Sequence, residues 1–154
     1  GHLDHVGGAM ELKRELSVDI VGPHIDDKPL CEGVEKVAEM YGLSGQYHNV
    51  TPDRWLEEGE TLKIAGVNFE VLHCPGHAPG HVIFHAAEKK FAHLGDVLFR
   101  GSVGRTDLPG GDHETLINSI KSKVIPLGDD VSFICGHGPG STIGHERQTN
   151  PFLQ

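Results

Sequence analysis

Histidine and aspartate stand beside glycine at four widely separated points of this chain, and that pattern limits the fold more than any other feature. The segments are Gly1-His2-Leu3-Asp4-His5, Pro75-Gly76-His77-Ala78-Pro79-Gly80-His81, Gly95-Asp96-Val97-Leu98-Phe99 and Gly136-His137-Gly138-Pro139. Glycine lets the backbone turn tightly and approach a neighbour closely. Neutral imidazole and carboxylate are the donors that divalent cations take. A reactive metal centre draws ligands from several backbone segments, because a single turn rarely offers enough of them. The 12 histidines and 21 glycines are the compositional outliers, and together they point to a metal site built from loops. Taken singly, a histidine in a glycine-rich loop reads as a surface or hydrogen-bonded residue; taken jointly, these four segments read as metal-binding.

Composition narrows the alternatives. At 154 residues with 37% apolar side chains, the chain is long enough for one domain over residues 1–154 and for a core without disulfides. Its longest apolar runs, such as Val131 to Cys135, are too short to span a bilayer, which predicts a soluble protein with no membrane partner. Thirteen basic residues against 22 acidic ones give a formal charge of −9, the wrong sign for wrapping a phosphate backbone, so no nucleic-acid partner is expected. Cys31, Cys74 and Cys135 form no CxxC pair and suggest a reducing, cytoplasmic compartment.

Along the chain, Ala9 to Leu16 reads as a helix and Val18 to Val21 as a buried strand. Pro29 opens a second helix whose Leu30, Val34, Val37, Ala38 and Tyr41 recur at helical spacing, and Gly42 stops it. Thr61 to Ala65 and Val67 to His73 flank Gly66 as a hairpin, and His81 to His85 and Lys90 to Leu94 read as further strands. A Gly- and Pro-rich loop runs from Gly101 to Gly111. Asp112 then caps a helix reaching Val124, Val131 to Cys135 is the last strand, and Ser141 to Thr149 forms a closing helix. Of the remaining histidines, His24, His48, His113 and His145 read as solvated, and His73, His85 and His93 as packed or hydrogen-bonded. Cys74 reads as a small buried hydrophobe despite its closeness to His77.

The four segments, in this order and joined by Ser102-Val103-Gly104-Arg105-Thr106-Asp107, resemble the metallo-β-lactamase superfamily, most closely its short, single-domain glyoxalase II-like hydrolases. The resemblance spans essentially the whole chain. It implies an α/β fold, an αββα sandwich with mixed sheets, whose N-terminal strands are missing from this chain. The family's first motif is His-x-His-x-Asp-His, of which His2, Asp4 and His5 are present and the leading histidine is not. On usual strand and loop lengths, the expected natural protein is longer by on the order of 30 to 60 residues, and this polypeptide alone is expected to hold its first metal poorly. Carried over by motif, His2 and His77 belong to one metal, Asp4, His5 and His137 to a second, and Asp96 bridges both. The implied cofactors are two divalent metal ions, zinc first, with iron or manganese as alternatives.

The resemblance further implies hydrolysis of a small-molecule thioester such as S-lactoylglutathione by a metal-bridging hydroxide, with Asp4 orienting the nucleophilic water. A thioester expels a thiolate whose conjugate acid has a pKa of about 8.5, so no dedicated acid is required. His81 either fixes an imidazole or meets the substrate. Arg105 either contacts the thiol carrier or pairs within its loop with Asp107, which stands where larger glyoxalase II enzymes carry an aromatic residue. With its end at Gln154, the chain is expected to lack the C-terminal helical domain of those enzymes. The rival readings are a single-iron persulfide dioxygenase on the same scaffold, a nucleic-acid phosphodiesterase and a non-catalytic metal-binding domain. Oligomeric state is not legible.

Overall fold

Ala65 and Gly66 adopt positive φ of 50° and 83°, the backbone that matches a two-residue hairpin turn to the right-handed twist of its strands. In the computed structural model, which describes all 154 residues, this turn joins β1 (Thr61–Ile64) to β2 (Val67–His73), with Ile64 opposite Val67. The sheet continues through β3 (Val82–Ala86), β4 (Phe91–His93), β7 (Ser132–Ile134) and β8 (Ser141–Thr142) in the order β1-β2-β3-β4-β7-β8. Every pairing is antiparallel except β4 with β7, which is parallel, so the sheet is mixed. A separate ribbon pairs β5 (Leu98–Phe99) with β6 (Ser102–Val103).

These strands belong to the second of two compact units, Gly1–Leu56 and Glu57–Gln154. Its core gathers Ile83, Ala92, Leu94, Val131 and Phe133 from the sheet region with Leu116, Ile120 and Val124. The last three recur every fourth residue and so share one stripe. They run from α5 (His113–Ser119) through one wider helical turn over Ile120–Val124. The Asp112 side chain caps α5 by accepting from the Thr115 amide at 2.7 Å, as its sequence position predicts. The Ser119 hydroxyl ties the same helix to the Pro75 carbonyl at 2.8 Å. Burial of Cys74 pushes its thiol up to about 12, consistent with a packing role. The closing helix, α6 (Ile143–Thr149), is preceded by β8, so Val131 to Cys135 contains a strand but not the last one.

The first unit is helical. Its elements are α1 (Leu3–Val6), α2 (Ala9–Leu16), α3 (Lys28–Cys31) and α4 (Val34–Met40). Cys31, Val34 and Val50 form its buried centre, with Leu3, Val6, Met10 and Trp55 packed against them. The expected strand from Val18 to Val21 does not form. Val21 makes one isolated bridge to Arg54, and Val18 and Val21 are exposed, because no neighbouring strand runs alongside to pair with them. The helix expected from Pro29 is two pieces, interrupted at Glu32 and Gly33, and Tyr41 lies exposed rather than on its packed face. Gly42 does stop α4. At φ 63° its amide donates to Glu39, while the Leu43 amide donates to Ala38, the paired bonds of a Schellman end. No helix of the chain is long and apolar enough to cross a membrane.

Candidate metal centre

Strand direction assembles half of the candidate ligands. Strands β2 and β4 each run antiparallel to β3 and therefore parallel to one another, and β7 runs parallel to β4. The C-terminal ends of all three thus leave the sheet at one edge. His77 follows β2, Asp96 follows β4 and His137 follows β7. The Gly136 amide donates to the Gly95 carbonyl at 2.8 Å and so links the last two loops directly.

There, Asp96 Oδ2 lies 3.4 Å from His77 Nε2 and 3.4 Å from His137 Nε2. His77 and Asp96 are 4% and 7% exposed, whereas the His137 side chain is 57% exposed and forms the open side of the group. His77 Nδ1 lies 2.8 Å from the Arg105 carbonyl. A carbonyl only accepts, so Nδ1 carries the proton and the imidazole lone pair sits on Nε2, facing an acceptor oxygen of Asp96. Two acceptors brought face to face are stabilised by a cation. The spacing agrees, because two donors each about 2.1 Å from a tetrahedral ion stand about 3.4 Å apart. The donor set and its separation fit a divalent metal.

Neighbouring residues hold the group in place. His81 Nε2 accepts from the Asp96 amide at 3.0 Å, and its ring meets that of His77 edge-on at 6.0 Å. Two glycines are required here by space. A Cβ on Gly95, whose φ is 50°, would lie 2.7 Å from the His81 ring, and one on Gly104 would lie 1.9 Å from the Asp96 carbonyl oxygen. The Cys135 thiol donates to the His137 carbonyl at 3.0 Å, and partial burial pushes its pKa up, keeping that proton in place. Phe99 flanks His137, with ring centroids 6.3 Å apart.

The first-segment residues lie in the helical unit. His2 precedes α1, its carbonyl accepting from the His5 and Val6 amides. Asp4 and His5 lie on that short helix, with His5 Nε2 3.4 Å from Asp4 Oδ2. Arg105 makes the loop-internal pair, its Nε and Nη2 each donating to Asp107 at 2.7 Å. Those bonds pull the Asp107 carboxyl down to about 2.

Sequence reasoning missed two supports. One is the Arg105 backbone carbonyl, which no side-chain motif reveals. The other is Glu146, fully buried on α6, which accepts from the Gly101 amide at 2.7 Å, from Asn150 at 3.0 Å and from the Ser141 hydroxyl. Burial alone would raise its carboxyl, but these donors bring it below the ordinary value. Asn150 also donates to the Ser102 carbonyl at 3.0 Å, so α6 grips the turn of the β5–β6 ribbon.

The family model of the metallo-beta-lactamase superfamily matches residues 1–137. The chain is 54% identical over 154 residues to the hydroxyacylglutathione hydrolase GloC of Haemophilus influenzae, covering 99% of this chain and 72% of that protein. Among solved structures, TTHA1623 in a di-iron-bound form superposes with a TM-score of 0.87 at 45% identity, covering 99% of this chain and 73% of the other. The BLEG-1 B3 metallo-beta-lactamase superposes at 0.86 with 35% identity and the same coverage. With its mixed sheet, its histidine- and aspartate-bearing loops at one sheet edge and these likenesses, the chain belongs to the metallo-beta-lactamase superfamily.

Proposed function

We propose that this chain is a metal-dependent thioester hydrolase acting on an acylglutathione such as S-lactoylglutathione. The observation that carries the reading is the Asp96 carboxylate set 3.4 Å from both the His77 and His137 imidazoles. The substrate class is supported by the 54% identity to a protein named hydroxyacylglutathione hydrolase. We assign His2, Asp4, His5, His77, Asp96 and His137 as ligands of two divalent cations, most simply zinc given nitrogen and oxygen donors. Iron is the competitor, since TTHA1623 was solved with two irons.

Bound cations of this kind supply Lewis acidity, which acidifies water and stabilises the oxyanion formed from a carbonyl. The chain's own residues do the positioning. Asp4 orients the attacking water, while His81 and the Arg105 carbonyl fix Asp96 and His77. The departing thiolate needs no protein acid, because its conjugate acid has a pKa of about 8.5. A cytoplasmic location accompanies this reading, supported by the free thiols of Cys31, Cys74 and Cys135.

The test is elemental analysis of the purified protein paired with an anaerobic acylglutathione assay. Two zincs per chain with thiol release supports the proposal. One iron per chain, with oxygen uptake on glutathione persulfide and no thioester cleavage, overturns it in favour of a dioxygenase.

A further inference from the structure

Five arginines occur in the chain, and four of them are engaged. Arg14 pairs with Glu15, Arg54 donates to the Trp55 carbonyl, Arg105 pairs with Asp107 and Arg147 pairs with Asp129. Arg100 alone has neither a carboxylate nor a carbonyl partner, in a chain carrying 22 acidic residues. It stands at the turn of the β5–β6 ribbon and lines an open depression of about 350 Å³ together with Gly140, Ser141, Thr142 and His145. No acidic side chain lines that depression. The Glu146 carboxylate, which the Ser141 hydroxyl contacts, is already committed to the Gly101, Asn150 and Ser141 donors.

The lining residues are neighbours of the candidate metal centre along the chain. Arg100 follows Phe99, whose ring meets that of His137, and lies four residues beyond Asp96. Gly140 lies three residues beyond His137. A volume near the lower end of small-molecule sites, about 300–1,000 Å³, suits one amino-acid-sized arm of a substrate rather than the whole of it. A guanidinium fork matches a carboxylate with two parallel hydrogen bonds.

Resting on the hydrolase reading above, we propose that this depression is the subsite for a carboxylate of the thiol carrier, anchored by Arg100 with His145 as a second donor. It is a specificity site. It selects acyl-thiols whose carrier bears an anionic end and leaves the reacting carbonyl to the metal ligands.

The test uses the metal-loaded protein with S-lactoylglutathione and its dimethyl ester, in which both carboxylates are capped. For Arg100→Ala, KM for the uncapped thioester should rise about five- to tenfold with kcat within about twofold, the range expected of an exposed charge-assisted contact. Capping should then cost the variant much less than it costs the wild type, and Arg100→Lys should recover part of the loss. Equal weakening of capped and uncapped substrates, or of neither, overturns the proposal. Free glutathione, titrated by NMR, separates this inference from the hydrolase reading. Shifts at the Arg100 Nε and the Gly140 to Thr142 amides support the subsite even if no thioester is hydrolysed, and shifts confined to other regions overturn it.

Discussion

Replacing Gly104 by alanine should break the candidate metal centre without touching a ligand. The added Cβ would lie 1.9 Å from the Asp96 carbonyl oxygen and 3.2 Å from the His77 Cβ, where ordinary contact begins at 3.4 Å. Relief requires the two backbones to part by about 1.5 Å. Asp96 cannot absorb this alone, because its amide is held by His81 at 3.0 Å. Nor can Gly104 withdraw cheaply, since its amide bonds to the Val97 carbonyl at 3.3 Å. Overpacking of this kind costs about 1–3 kcal/mol, and losing the amide bond adds about 1 kcal/mol. The expected destabilisation of about 2–4 kcal/mol corresponds to a fall in Tm of roughly 5–15 °C at this chain length. Calorimetry and metal-to-protein ratios should show both the fall and a loss of bound ion. Gly8→Ala is the control, because nothing lies within 4 Å of its Cβ and its φ is −96°; it should change stability by no more than about 0.5 kcal/mol. A Gly104→Ala protein that melts within about 2 °C of the parent with full metal content would refute the steric account.

Four further outcomes are expected. His81→Ala should lower metal affinity about tenfold in competition with a chelator, because the Asp96 amide loses its acceptor; unchanged affinity would remove His81 from the positioning set. Ser119→Ala should cost about 1 kcal/mol in urea unfolding through the orphaned Pro75 carbonyl, and an unshifted midpoint would contradict that. The Asp107 carboxyl should titrate near 2 by NMR: its folded value is depressed, so the pairing contribution is whole above the unfolded value of about 3.9 and disappears as pH falls through the folded one, and a midpoint near 4 would dissolve the pair. Cys74, raised to about 12, contributes stability that is complete below the unfolded thiol value of about 8.5 and fades as pH climbs toward the folded one. In the native protein it should therefore react with a thiol reagent at pH 9 far more slowly than Cys135, and equal rates would argue against its burial.

Where local chemistry decides conformation, the sequence was readable. The Gly66 hairpin, the Asp112 cap and the Gly42 stop each depend on one or two residues whose preferences are intrinsic, and all three occur. Val18 to Val21 misleads because an apolar run specifies burial only if a partner strand exists, and its partner is a single bridge at Arg54. The β5–β6 ribbon and β8 are two residues per strand, too short for any alternation to register. At the site, glycine-flanked motifs exposed His77, Asp96 and His137, while the sequence left the roles of His81 and Arg105 open between two alternatives each. In the structure a His81 ring nitrogen accepts from the Asp96 amide and the Arg105 guanidinium pairs with Asp107, and neither contact has a pattern along the chain.

The lone parallel pairing of β4 with β7 has a consequence for biosynthesis. A ribosome must extend the chain from Asp96 to beyond His137 before the two loops joined by Gly136 and Gly95 can meet. An ion held by Asp96 and His137 would reward only the finished sheet, and by binding the native form alone it would shift the balance away from half-built chains. Metal supply would thus govern how much of the newly made polypeptide survives proteolysis, as well as how fast the survivors work.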